Sequence, residues 1–242
     1  MKKRSLFVAT AMLLVAVLVA TGATYAWFTS VESAKADLSM SVASGESLEF
    51  SVDGGNTWHT SLEDTLTGKW SDFSVTDDNF ANSTEPAPGF FTKEYDEETN
   101  QITGYNASTA PVKVTINFRA SKAGNVLVSG NMKSTNAAHT NLDSTLRLGA
   151  YGADYKQIFA NPTSTSYDKA IADELGTTGT QTWANIPAAG TQGAAIVNLT
   201  TNGDYYTGVT ELYFWVEGPL VFNSYTNDTT TAAVALTFAV GQ

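Results

Sequence analysis

The sequence predicts an all-β fold, a jelly-roll-like antiparallel sandwich, and three observations lead to this prediction. Apolar and polar residues alternate with a period of two in many short segments, most cleanly at residues 112–119. Such alternation places one set of side chains in a core and the other in water, as in an antiparallel sheet. Turn-forming residues separate these segments, and helical periodicity is scarce. Together these features favour two packed sheets, as in a sandwich or jelly roll.

The strands can be placed along the chain in order. The first two are predicted at residues 37–42 and 48–52, and a hairpin is predicted at residues 90–105. Further strands are predicted at residues 112–119, 126–128, 146–150, 194–199, 211–216 and 233–240. At most one short helix is expected, at residues 166–175, where Ser166 can cap its start and Gly176 its end. The helix lies in a long connection, so residues 27–242 are predicted to form one domain.

The chain begins like a secretory signal peptide, predicted as a helix within residues 1–26. A basic start precedes an apolar run at residues 6–23, and small residues follow the run. Signal peptidases require small side chains before the cut. Cleavage is therefore predicted between Ala26 and Trp27, with a cut after Ala23 as second choice. The apolar run of 18 residues is short for a membrane span, and its retention as an anchor is the alternative.

The segment around the predicted cut carries a family resemblance. It reads Ala23-Thr24-Tyr25-Ala26-Trp27-Phe28-Thr29-Ser30, and a strand-like segment follows at residues 36–42. Both segments resemble the TasA/camelysin family of secreted proteins from Gram-positive bacteria, which a dedicated signal peptidase releases. The resemblance implies a jelly-roll domain that polymerises into pilus-like fibres of the biofilm matrix. In such fibres, the N-terminal strand of each subunit completes the sheet of the next.

The charge of the chain limits its partners. The leader carries three of the 13 basic residues and no acidic ones, so the mature chain has 10 basic and 24 acidic residues, a net charge of −14. This balance argues against nucleic acid or anionic lipid as a partner, because a phosphate backbone needs a basic face. A membrane is therefore expected to be contacted only through the leader, before cleavage. Copies of the mature chain repel one another unless specific contacts or divalent cations overcome the charge.

A hairpin motif follows the second predicted strand. Residues 51–58 match the Asp-box pattern S-x-D-x-G-x-T-W of secreted carbohydrate-active proteins, through Ser51, Asp53, Gly55, Thr57 and Trp58. Asp53 is expected to accept hydrogen bonds from turn amides, and Trp58 to fold back onto the hairpin. In those families the motif belongs to the scaffold, away from catalysis. A single copy therefore predicts a structural hairpin and no glycosidase activity.

The chain is not predicted to be an enzyme. It has no cysteine, which excludes thiol nucleophiles, disulfides and zinc–thiolate sites. It has neither H-E-x-x-H nor G-x-S-x-G, so the metalloprotease activity ascribed to camelysin-like proteins is not carried over. A glycosidase needs only two carboxylates at the right separation, and the 24 acidic residues leave that alternative open.

No cofactor is predicted, although two acidic loops are candidates for Ca²⁺, which prefers several oxygen ligands. Their acidic residues are Asp77, Asp78, Asp96, Glu97 and Glu98. Neither loop follows the EF-hand spacing. Acidic runs in loops are ordinarily solvated, and that alternative stands beside calcium binding.

The aromatic run at residues 213–215 permits two interpretations. On a strand, Phe214 would join Leu212 and Val216 in the core, and Tyr213 and Trp215 would share the opposite face. An exposed pair would form a sugar platform or a subunit contact. Burial of the pair under a loop or a second layer is the predicted outcome.

The function predicted is that of a secreted structural subunit of an extracellular fibre, pilus or biofilm matrix. Its partners would be other copies of itself in a head-to-tail homopolymer, and the signal peptidase. Residues 27–42 are the candidate donor strand. Its apolar residues, the candidate contacts, are Trp27, Phe28, Val31, Leu38, Met40 and Val42. The alternatives are a secreted carbohydrate-binding module and, third, a secreted hydrolase.

Overall fold

A computed structural model describes residues 34–68, 71–75, 80, 87–95, 102–108, 111–134, 146–160, 183–217 and 231–241. The chain is almost entirely β-strand within these ranges, which confirms the all-β prediction. The predicted signal helix and the predicted helix at residues 166–175 lie outside the described residues. In the part of the chain that is described, no helix has the length and apolar character that a membrane crossing requires.

Short strands follow one another along the described ranges. The first seven are β1 (Ala34–Val42), β2 (Leu48–Ser51), β3 (Ser61–Gly68), β4 (Ser71–Ser74), β5 (Phe90–Tyr95), β6 (Ile102–Ser108) and β7 (Val112–Ala120). The next seven are β8 (Gly124–Ser134), β9 (Leu146–Gly152), β10 (Lys156–Ala160), β11 (Ala184–Asn185), β12 (Ala194–Asn202), β13 (Tyr205–Glu217) and β14 (Thr231–Gly241).

The strands form two packed layers that β12 joins. The first layer has the order β3-β1-β14-β8-β12. The second layer is built on β13, which pairs with β7 on one side and with β9 on the other. β2 extends this layer beyond β7, β10 and β11 extend it beyond β9, and β4, β5 and β6 continue from the end of β13. β12 pairs with β8 in its first half and with β13 in its second half, so it crosses between the layers.

The sheet is mixed, although most pairs are antiparallel as predicted. The pairs β1–β14, β4–β13 and β10–β11 are parallel. Side chains alternate with a period of two in both kinds of strand. The alternation on which the prediction depended therefore fixes which face is buried and leaves the direction of the neighbouring strand open.

A shared apolar core holds the two layers together. Leu38 and Phe238 of the first layer, and Phe50 and Phe118 of the second, are at most 2% exposed. The ring centroid of Phe238 lies 5.7 Å from that of Phe50 and 5.1 Å from that of Phe118, so the aromatic rings span the gap between the layers. Full burial of one such side chain stabilises a fold by about 1.5–3 kcal/mol.

A second core lies on the outer face of the second layer. Phe80 packs at its centre against Phe90, Tyr151, Tyr213 and Trp215, with ring centroids 5.5–6.3 Å away. β13 is therefore buried on both faces over residues 212–216. The sandwich thus has a third, aromatic layer over part of its surface.

Candidate functional site

The described part of the predicted donor strand, β1, occupies an interior position of the first layer. β1 lies between β14, with which it is parallel, and β3, with which it is antiparallel. Ala36, Leu38 and Met40 are buried in the shared core, and Val42 packs against its edge. In the single chain β1 therefore completes its own sheet, which is the arrangement that competes with donation to a neighbour.

The other predicted residues of the assembly segment lie outside the described part of the chain. They are Ala26 and Trp27 at the predicted cut, together with Phe28 and Val31. The described part of the segment thus consists of β1 and its three core residues.

β3 forms the outer edge of the first layer. Among the described strands, β3 pairs only with β1. Glu63 and Asp64 on β3 are exposed. Charged side chains on an edge strand oppose pairing with the edge of another molecule. A copy of the chain is therefore not expected to add simply to the outside of β3.

The turn at residues 43–47 carries the chain from β1 in the first layer to β2 in the second. The amide of Ala43 donates to the carbonyl of Phe238 at 2.8 Å, which ties the start of the turn to β14. At the other end, Glu46 lies 3.1 Å from the ammonium group of Lys122. The hydroxyl of Ser121 donates to that of Ser47 at 2.8 Å. The turn thus contacts both β14 and the neighbouring turn between β7 and β8.

The Asp-box hairpin follows β2, and Asp53 organises it. One carboxylate oxygen of Asp53 accepts hydrogen bonds from the Ser51 hydroxyl at 2.7 Å, the Asn56 amide at 3.0 Å and the Thr57 amide at 2.9 Å. The Thr57 hydroxyl donates to the other oxygen. These bonds, that of the Thr57 hydroxyl foremost, hold the pKa of Asp53 well below its ordinary value. Because its carboxylate is engaged within the hairpin, Asp53 acts as a structural residue.

Trp58 joins this hairpin to the second layer through a contact that the sequence did not predict. The ring of Trp58 approaches Gly55, whose φ is +92°, and also covers the guanidinium group of Arg119 at 4.3 Å. The same guanidinium group lies 5.2 Å from the ring centre of Tyr205 and 2.7 Å from Glu49. The only signal in the sequence was the outward position of Arg119 on the alternating strand β7.

Tyr213 and Trp215 are buried, which confirms the predicted outcome for the aromatic run. They are 1% and 0% exposed, respectively, while Phe214 faces the shared core. The hydroxyl of Tyr213 donates to Glu211 at 2.5 Å, and Lys113 lies 2.7 Å from the other oxygen of that carboxylate. Burial, together with the bond to Glu211, raises the pKa of Tyr213. The pair therefore offers no exposed platform for a sugar.

The acidic candidates for Ca²⁺ all lie outside the described ranges. They are Asp77, Asp78, Asp96, Glu97 and Glu98. In the described ranges, no three acidic or histidine side chains come together in a group that could hold a metal ion.

Comparison of the chain with protein-family models, with curated proteins and with solved structures found no match.

Proposed function

We propose that the mature chain is a secreted, non-enzymatic subunit that polymerises into extracellular fibres by exchanging β1 between neighbouring copies. The observation that carries the proposal is the position of β1. It is the first described strand, it begins eight residues after the end of the predicted leader, and it fills an interior place between β14 and β3. Its neighbours in the fibre would be other copies of the same chain, and its export would need the signal peptidase.

In the described part of the chain, β1 can leave its sheet without threading between other strands. Among the described residues, only the turn at residues 43–47 connects β1 to another strand of the chain. Departure of β1 would expose the backbone groups of β14 and the apolar side chains of Val234, Leu236 and Phe238. These groups would form an acceptor groove, and the place fits the side chains of β1.

A second copy can fill this groove with the same contacts. The β1 strand of a neighbour would make the same main-chain hydrogen bonds and bury Leu38 and Met40 in the same places. Donation from each subunit to the next is a head-to-tail contact, so it grows a filament instead of closing a dimer. The large aromatic residues Trp27 and Phe28, upstream of β1, would anchor the donated segment.

Because the chain carries a net charge, fibre formation should depend on the salt concentration. The mature chain carries −14, and like-charged subunits repel each other. This repulsion is screened beyond about 10 Å at 0.1 M salt. Fibre formation should therefore strengthen as salt is raised.

The experiment compares the mature chain, starting at Trp27, with a variant that lacks residues 27–33 and keeps β1. Negative-stain microscopy at increasing NaCl should reveal filaments of the mature chain and fewer filaments of the shortened variant. A mature chain that stays monomeric at every salt concentration would exclude a fibre subunit. Monomers that are instead retained on a polysaccharide column would favour the carbohydrate-binding alternative, which no longer has Tyr213 and Trp215 as its platform.

A further inference from the structure

We propose that two side-chain contacts between neighbouring turns form a latch that holds β1 in its own sheet and sets how often the strand is released. The latch consists of the ion pair between Glu46 and Lys122 and the hydrogen bond between Ser47 and Ser121. The inference rests on the proposed exchange of β1, and it adds the control of that exchange.

The two turns lie at the same end of the sandwich because both connect the layers there. Residues 43–47 lead from β1 to β2, and residues 121–123 lead from β7 to β8. Leu48 of β2 pairs with Ala120 of β7, so the turns begin side by side. A strand that swings out of its sheet must pivot about residues 43–47. The latch joins this pivot to a turn that stays with the body of the domain.

Gly45 gives the pivot its conformational freedom. Its φ is +85°, in the left-handed region, and apart from its chain neighbours no atom lies within 4 Å of the position where a Cβ would be. Glycine adopts positive and negative φ without steric strain, so Gly45 allows the turn to change its backbone conformation when the latch opens.

The latch is by its nature a modest and salt-sensitive restraint. The side chains of Lys122 and Glu46 are 47% and 22% exposed. Partly exposed ion pairs of this kind change an equilibrium constant by about two- to fivefold. Salt screens them, so salt would release β1 and reduce the repulsion between subunits at the same time.

Hydrogen exchange of the monomeric mature chain tests the latch. The variant Lys122→Ala should make the β1 amides of Leu38 and Met40 exchange about two- to fivefold faster than in the original chain. The control is Lys113→Ala, because Lys113 forms a similar, partly exposed pair with Glu211 at 2.7 Å, away from β1 and its turn. The control should leave β1 exchange unchanged, and 1 M NaCl should remove the difference between Lys122→Ala and the original chain.

A charge-swapped variant separates the ion pair from the packing of the lysine side chain. Glu46→Lys combined with Lys122→Glu should restore slow exchange of β1. The latch would be overturned if the charge swap did not restore slow exchange, or if Lys113→Ala accelerated β1 exchange equally. It would also be overturned if the β1 amides exchanged at the rate of the β8 amides in every variant. Because the exchange is measured on monomers, a latch that fails is distinguishable from a chain that does not form fibres.

Discussion

Leu38 on β1 lies directly beside Val234 on β14 in a parallel register, so the first and last described strands share one part of the core. Met40 and Leu236 repeat this relationship two residues further along. Contacts between residues so far apart in sequence form late and slowly in folding. Pairing of β1 with β14 is therefore expected to be one of the slower steps in the folding of the single chain.

The core role of β1 predicts a large loss of stability on truncation of its side chains. Leu38→Ala should reduce the free energy of unfolding by about 2–5 kcal/mol, because it removes buried apolar groups and leaves a cavity. Ser39→Ala is the matched control, since Ser39 is the exposed neighbour on the same strand, and should change stability by less than about 0.5 kcal/mol. Urea unfolding measures both, and equal effects would contradict the burial of β1.

The packing of the aromatic layer predicts that two substitutions have non-additive effects on stability. A Cβ added at Gly149 would lie 2.3 Å from the ring of Phe80, so Gly149→Ala should destabilise the fold by about 1–3 kcal/mol. Phe80→Ala should cost about 3–5 kcal/mol by leaving a cavity. The double variant should lose less than the sum, because removal of the ring makes room for the new methyl group. Additive losses in thermal or urea unfolding would show that Phe80 does not pack on Gly149.

The hydrogen bonds of Asp53 predict a dependence of stability on pH. Because the pKa of Asp53 is lower in the folded chain than its ordinary value of 3.8, the ionised carboxylate stabilises the hairpin fully above about pH 4. This stabilisation should decline as the pH falls below that value toward the lower pKa of the folded state. Asp53→Asn should therefore lower the melting temperature most at neutral pH and progressively less in acid. A difference that stays constant from pH 7 to pH 2 would contradict the lowered pKa.

Much of the fold could be predicted because alternation reports burial on one face. β7 and β14 alternate almost perfectly, and both were found close to their observed bounds. β3 was missed because Asp64 interrupts its apolar pattern, and an exposed edge strand tolerates a charge there. β9 shows little alternation of apolar and polar residues, because six of its seven residues are buried.

The candidate site was less predictable than the fold. The sequence identified the apolar residues of β1. The two strands that pair with β1 could not be predicted, because this pairing depends on contacts between distant segments. The parallel pairing with β14 joins residues almost 200 positions apart, such as Leu38 and Val234. The stack of Trp58, Arg119 and Tyr205 likewise joins three distant segments. Local pattern carries no information about such pairings.

The position at which the predicted leader is cut can be tested directly. Secretion should yield a chain that begins at Trp27, because small residues precede this position and the apolar run of 18 residues is short for an anchor. Intact-mass measurement of the secreted protein determines the cut. A mass that begins at Thr24 would indicate the second-choice cut, and a mass that retains residues 6–23 would contradict release.

Exchange of β1 is tested most directly by a disulfide between β1 and β14. The hydroxyl oxygens of Ser41 and Thr237 lie 3.4 Å apart on paired positions. The chain has no cysteine of its own, so Ser41→Cys with Thr237→Cys creates a single possible bridge within each acceptor groove. The variant with Ser41→Cys alone is the control, and should form no specific ladder of covalent products.

Fibres of the double variant are assembled under reducing conditions, oxidised, and separated on a non-reducing denaturing gel. If β1 is donated, each bridge joins two subunits, so the gel should show a ladder of covalent multimers. Monomers oxidised before assembly should be closed within one chain and should form no fibres. Fibres that yield only monomer bands after complete oxidation would contradict strand exchange, because each β1 would then still lie in its own sheet.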